Sequence, residues 1–82
     1  MVDCERYGVE FEGLRLVIES HPDHWQIFVY DVGNCEVLHT CQRISIYAAK
    51  YAAVEYAAVY RFGPRNDLEP DAIAATLAWE TI

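Results

Sequence analysis

The 82-residue sequence predicts one α+β domain spanning 1–82: a three-stranded antiparallel meander packed by one long Ala/Tyr-rich helix, plus a short C-terminal helix. Three observations predict it. Apolar and polar side chains alternate over 7–19 and again over 35–41 with the period of two that strands impose, and WQIFVYD between them carries apolar groups on both faces. Turn-forming clusters break that alternation at SHPDH (20–24) and DVGN (31–34). Residues 44–63, ISIYAAKYAAVEYAAVYRFG, then hold six alanines and four tyrosines but only three charged residues, as suits a helix lying close against a sheet.

The first strand runs from Tyr7 to Glu19. Tyr7, Val9 and Phe11 alternate with Gly8, Glu10 and Glu12, and beyond Gly13 the residues Leu14, Leu16 and Ile18 alternate with Arg15, Val17 and Glu19. Gly13 therefore reads as a bulge or bend within one strand. In SHPDH, Pro22 fixes its own φ and biases His21 away from helix, so a hairpin follows. WQIFVYD sends Trp25, Ile27 and Val29 to one face and Gln26, Phe28 and Tyr30 to the other, the mark of a central strand. Gly33 and Asn34 readily take the positive φ of a tight turn. CEVLHTC then places Cys35, Val37, His39 and Cys41 on one face of the third strand.

Ser45 is positioned to cap the long helix, which runs to about Arg61 and stops at Gly63-Pro64. On a helical wheel, Ile46, Ala49, Ala53, Tyr56 and Tyr60 form one stripe, and Tyr47, Tyr51, Val54 and Ala58 a second. Ala48, Ala52 and Val59 form a third beside Glu55, which leaves Lys50, Ala57 and Arg61 as the polar strip. PRND (64–67) is a linker, and LEPDAIAATLAWETI reads as a second helix with Pro70 in its first turn and Asp71 at the positive end of its dipole. Ile73, Ala74, Leu77 and Ala78 cover part of the first helix, while Trp79 points the other way. Three apolar faces with two coverers leave a surplus. The expected outcome is a homodimer anchored by Tyr47, Tyr51, Tyr56, Tyr60 and Trp79.

A domain of this size buries only about 60–65% of the surface its unfolded chain exposes, so a second copy or another protein would add needed stability. Its hydrophobic fraction of 54% excludes intrinsic disorder. The formal net charge of −7 opposes phosphate backbones, the arginines are dispersed, and no Gly-rich phosphate loop is present, which argues against nucleic acid. The acids, which include Glu5, Glu10, Glu12, Glu19, Asp23, Asp31, Glu36, Asp67, Glu69, Asp71 and Glu80, are spread along the chain, so a basic protein is a possible partner. Cys4, Cys35 and Cys41 form an odd set without C-x-x-C, so thiols are expected and not a disulfide framework or zinc knuckle. The charged N-terminal stretch and the interrupted apolar runs predict a cytoplasmic protein with no membrane partner.

His39 and Cys41, with Cys35 on the same face and His21 or His24 beyond, are the nearest approach to a soft-metal set, but their spacing is not that of a ligand motif. A thiol nucleophile with His39 as base fails on reach, since same-face strand neighbours stand about 6.6 Å apart. No cofactor, metal or catalytic residue is expected, and the chain is read as a non-enzyme.

The stretch GLRLVIESHPDHWQIFVYDVGNCEVLHTCQRISIYAAKYA resembles the strand, strand, strand, helix core of HicB-type antitoxin domains and similar small uncharacterised domains. The likeness rests on Trp25 opening a strand, the turn into Gly33, Asn34 and Cys35, and Ser45 starting a helix with Ala48, Ala49 and Lys50. It covers about half the chain. It departs from that pattern in lacking the proline common before the Gly-Cys pair and an appended DNA-binding segment. The resemblance implies a dimeric antitoxin that neutralises a small basic ribonuclease, and it transfers no functional residues. The residues themselves point first to a non-catalytic, self-associating interaction module. An acidic inhibitor of a basic protein and a small-molecule binder with a pocket between helix and sheet, near Trp25 and His39, are the alternatives.

Overall fold

The computed structural model describes residues 5–64, Asp67 and residues 69–82. Cys4 of the cysteine count, Arg65 and Asn66 of the linker and Leu68 at the start of the second helix lie outside the described residues.

The first alternating run is two strands and not one bent strand: β1 (Arg6–Phe11) and β2 (Leu14–Ser20). Glu12 at φ 51° and Gly13 at φ 76° both occupy the left-handed region, the signature of a two-residue hairpin turn whose twist matches its arms. Tyr7 then lies opposite Ile18, Val9 opposite Leu16 and Phe11 opposite Leu14, so both arms turn their apolar side chains to one layer. SHPDH closes the next hairpin, with the His21 N–H donating to the His24 carbonyl at 2.8 Å, and leads into β3 (Trp25–Asp31).

β4 (Val37–Arg43) begins two residues later than the alternation suggests. Cys35 sits in the turn at φ 58°, its N–H bonded to the Asp31 carbonyl at 2.8 Å. A bulge follows, because Tyr30 pairs with Val37 while Val29 pairs with His39, which leaves Leu38 without a direct partner. The extra residue breaks the expected face: His39 and Cys41 stay with Val29 and Ile27, whereas Val37 shares the opposite face with Tyr30.

α1 (Ile46–Phe62) starts where the Ser45 hydroxyl accepts the Ala48 N–H at 3.1 Å. It ends at Gly63, which takes φ 77° and donates its N–H to the Val59 carbonyl at 2.8 Å. Leu14, Leu16, Ile18, Ile27 and Val29 form the sheet side of the core, and Ala49, Ala53, Val54 and Ala57 the helix side. Ala49, Ala53 and Ala57, one turn apart, are each 0% exposed, so Ala57 belongs to the dry face and not to a polar strip. Methyl-sized side chains let the helix backbone approach the sheet closely.

The second helix is shorter than expected. α2 (Pro70–Thr76) stops where Leu77 turns extended at ψ 143°, and β5 (Glu80–Thr81) then pairs antiparallel with β1. That change of direction swings Trp79 inward, correcting its expected outward placement. It packs against the core and its indole N–H donates to the Ala74 carbonyl at 3.1 Å. The α+β class holds, but the sheet has five strands, in the order β4-β3-β2-β1-β5, with α1 packed on one face and α2 packed on α1.

Candidate functional site

Tyr47, Tyr51, Glu55 and Val59 recur every four residues and therefore line one side of α1. Tyr47 is 80% exposed, Tyr51 40% and Val59 48%, and Phe62 at 42% extends the apolar surface toward the C-terminal end, whereas Tyr60, at 47%, lies on the Tyr56 stripe and stacks on that ring. Glu55 is the single charge in the row. The Glu55 charge first, then local desolvation and a hydrogen bond to Glu55, raise the Tyr51 phenol above its ordinary pKa of 10.0. Tyr51 therefore stays neutral through the physiological range.

The five anchors expected from sequence are divided by the fold. Tyr47, Tyr51 and Tyr60 project from α1. Tyr56 instead stacks on His39, centroids 4.2 Å apart at an interplanar angle of 6°, and its hydroxyl donates to the Leu38 carbonyl at 3.3 Å. Trp79 lies against the core with the Lys50 Nζ 5.6 Å from its ring centroid, an amphipathic cover over the α1–α2 junction.

The projecting row borders the open edge of the sheet. A groove of about 630 Å³ has His39, Cys41 and Arg43 of β4 on one side and Tyr51, Glu55 and Val59 of α1 on the other. A second groove, of about 750 Å³, runs between α1 and α2 past Tyr47, Lys50, Leu77 and Trp79. Trp25 lines neither of them; it packs against the core beside Tyr7.

The other chemistry-bearing residues are dispersed. Cys35 and Cys41 carry free thiols, but the bulge separates exposed Cys35 from the inner face that holds His39 and Cys41. His21 and His24 stack at 4.7 Å on the hairpin tip, His21 Nε2 lying 2.7 Å from Glu19 Oε1 and His24 Nδ1 2.6 Å from Asp23 Oδ1. The hydrogen bond from His24, then its charge, lowers the Asp23 pKa from 3.8. Among the described residues no group of three or more His, Cys, Asp or Glu side chains is placed to hold a metal ion. No helix among them is long and apolar enough to cross a membrane.

Charge is unevenly divided, a feature the sequence reading missed although it is visible in the letters. Residues 37–62, which form β4 and α1, contain Arg43, Lys50 and Arg61 against Glu55 alone, or +3 − 1 = +2. With −7 for the whole chain, the remainder carries −7 − 2 = −9. Comparison with protein-family models, curated proteins and solved structures gives no match. The fold and surface define a small two-layer α+β domain with an aromatic helix face beside an open strand edge.

Proposed function

We propose that this chain is a non-catalytic protein-interaction module that self-associates through the projecting face of α1. One observation carries the reading: Tyr47, Tyr51, Val59 and Phe62 are exposed together on one side of the helix with a single carboxylate among them. Tyrosines supply contact area with little rotamer entropy to lose, and such clusters anchor interfaces. Light scattering on a sizing column, over a wide concentration range, is expected to give a dimer that the double substitution Tyr47→Glu and Tyr51→Glu converts to monomer. A monomeric parent chain would sink the reading. Tyr56 is unsuitable for this test, because its hydroxyl and ring serve β4 within the molecule.

The charge division favours a second reading, in which the acidic remainder of the molecule binds a small basic protein, as an inhibitor or antitoxin-like domain would. The −9 carried outside β4 and α1 supports it. A pull-down at low salt is expected to recover one dominant small basic protein that elutes as salt rises. Recovery of no such protein would count against it.

A further inference from the structure

We infer that β4 is the strand through which two copies join, antiparallel about a two-fold axis near Thr40, with Arg43 of each copy against Glu36 of the other. The inference rests on the self-association proposed above and names the surface that completes it. The two edges of the sheet are unlike. β5 is two residues long and includes Glu80, a short and charged edge of the kind that discourages further pairing. β4 is seven residues long, VLHTCQR, with no proline or lysine, no acid and one terminal arginine. Its bulge lies at the Leu38 end, so His39 to Gln42 form a regular, uncharged stretch, paired with β3 on one side and with its alternate, outward-turned backbone groups facing no strand on the other.

Electrostatics selects a second copy as the occupant. Two chains of −7 repel at most approaches. Along β4 the sign alternates by end: Glu36 precedes the strand and Arg43 closes it, both exposed, and neither forms an ion pair among the described residues. Antiparallel pairing of a strand with its own copy brings opposite ends together, so the two-fold creates the Arg43–Glu36 contact twice. With the axis perpendicular to the sheet, both α1 helices stand on the same side. Because the groove joins β4 to Tyr51, Glu55 and Val59, the helix rows meet above the joined strands. One side of the molecule thus supplies backbone pairing, apolar contact and charge complementarity together.

The test is mass by light scattering and sedimentation of the full chain and four variants, one of them the Tyr47→Glu, Tyr51→Glu chain. The 9.4 kDa chain is expected to double in mass, and Thr40→Lys, which sets like charges at the axis from an exposed side chain, to lose the dimer. Arg43→Glu is expected to lose it too, and adding Glu36→Arg to that variant to restore it. Circular dichroism confirms that each variant is folded, and amide exchange of the unaltered chain, slowing along β4 as concentration rises, needs no variant. A monomeric parent chain overturns this inference and the self-association beneath it, whether or not a foreign peptide uses the edge. A dimer that survives Thr40→Lys and Arg43→Glu but dissociates in the Tyr47→Glu, Tyr51→Glu variant leaves self-association standing and overturns the strand edge. A charge-reversed pair that stays monomeric overturns the antiparallel register.

Discussion

Ala53→Leu is the sharpest probe of how α1 lies on the sheet. Ala53 is fully buried, as are Ala49 and Ala57 one turn to either side, and Leu16, Ile18, Ile27 and Val29 fill the opposing layer. Were there room, each added methylene would contribute about 0.8 kcal/mol of burial. There is none, so the larger side chain must leave its rotamer well or lift the helix and loosen its neighbours, a net loss of about 1–3 kcal/mol. Alanine and leucine differ little in helix propensity, which keeps that term out of the comparison. The exposed Ala72→Leu, on α2, serves as control and is expected to change stability by no more than about 0.5 kcal/mol. Urea unfolding at low protein concentration, where association adds nothing, should show a lower midpoint at constant slope. Thermal midpoints should fall by roughly 5–20 °C. If Ala53→Leu were as stable as the parent chain, the close helix–sheet contact argued above would be wrong.

Glu12 holds φ 51° without the tolerance that asparagine or glycine has for that region. Glu12→Asn is expected to raise stability by about 0.5–1 kcal/mol, while the Arg61 Nε–H keeps its 2.7 Å bond because it donates to the backbone carbonyl. A lower unfolding midpoint would refute the turn assignment. The lowered pKa of Asp23 favours its charged form in the folded state, so its contribution is present above 3.8 and lost as pH falls through the depressed value. Asp23→Asn should therefore be less stable than the parent at acid pH above 3.8, with the difference closing below it; urea midpoints across that range test this, and a gap independent of pH would contradict it.

Much of the fold was legible because its signals are local. The hairpin at SHPDH, the Ser45 cap and the Gly63 stop each depend on residues adjacent in sequence, and each is found where the letters place it. The turn at Glu12-Gly13 was misread because a bulge and a two-residue hairpin both shift the apolar positions from odd to even numbers. The cross-strand match of Phe11 with Leu14 and Val9 with Leu16 is what separates them, and it needs the pairing to be known. The Leu38 bulge carries no glycine to announce it, so the face shared by Cys35 and His39 was an artefact of unbroken alternation. Ala57 on a helical wheel fits a wet or a dry face equally well. β5 and the inward turn of Trp79 depend on β1, more than seventy positions away, where Tyr7 lies opposite Thr81. At the surface the aromatic surplus was readable from composition, whereas its division into projecting and packed tyrosines depends on His39 and Leu38 lying beneath Tyr56.

The strand order β4-β3-β2-β1-β5 also bears on how the chain finds its shape. Each of the first four strands pairs with its immediate neighbour in sequence, so three successive hairpins can close with short loops and low entropic cost. β5 alone must travel back across the whole molecule, and it gains only two residues of pairing on arrival. The expected folding order is hairpins first, helix docking next and β5 last. The same arithmetic makes β5 the first segment to open, so its amides should exchange by local fraying while β2 and β3 exchange only through global unfolding.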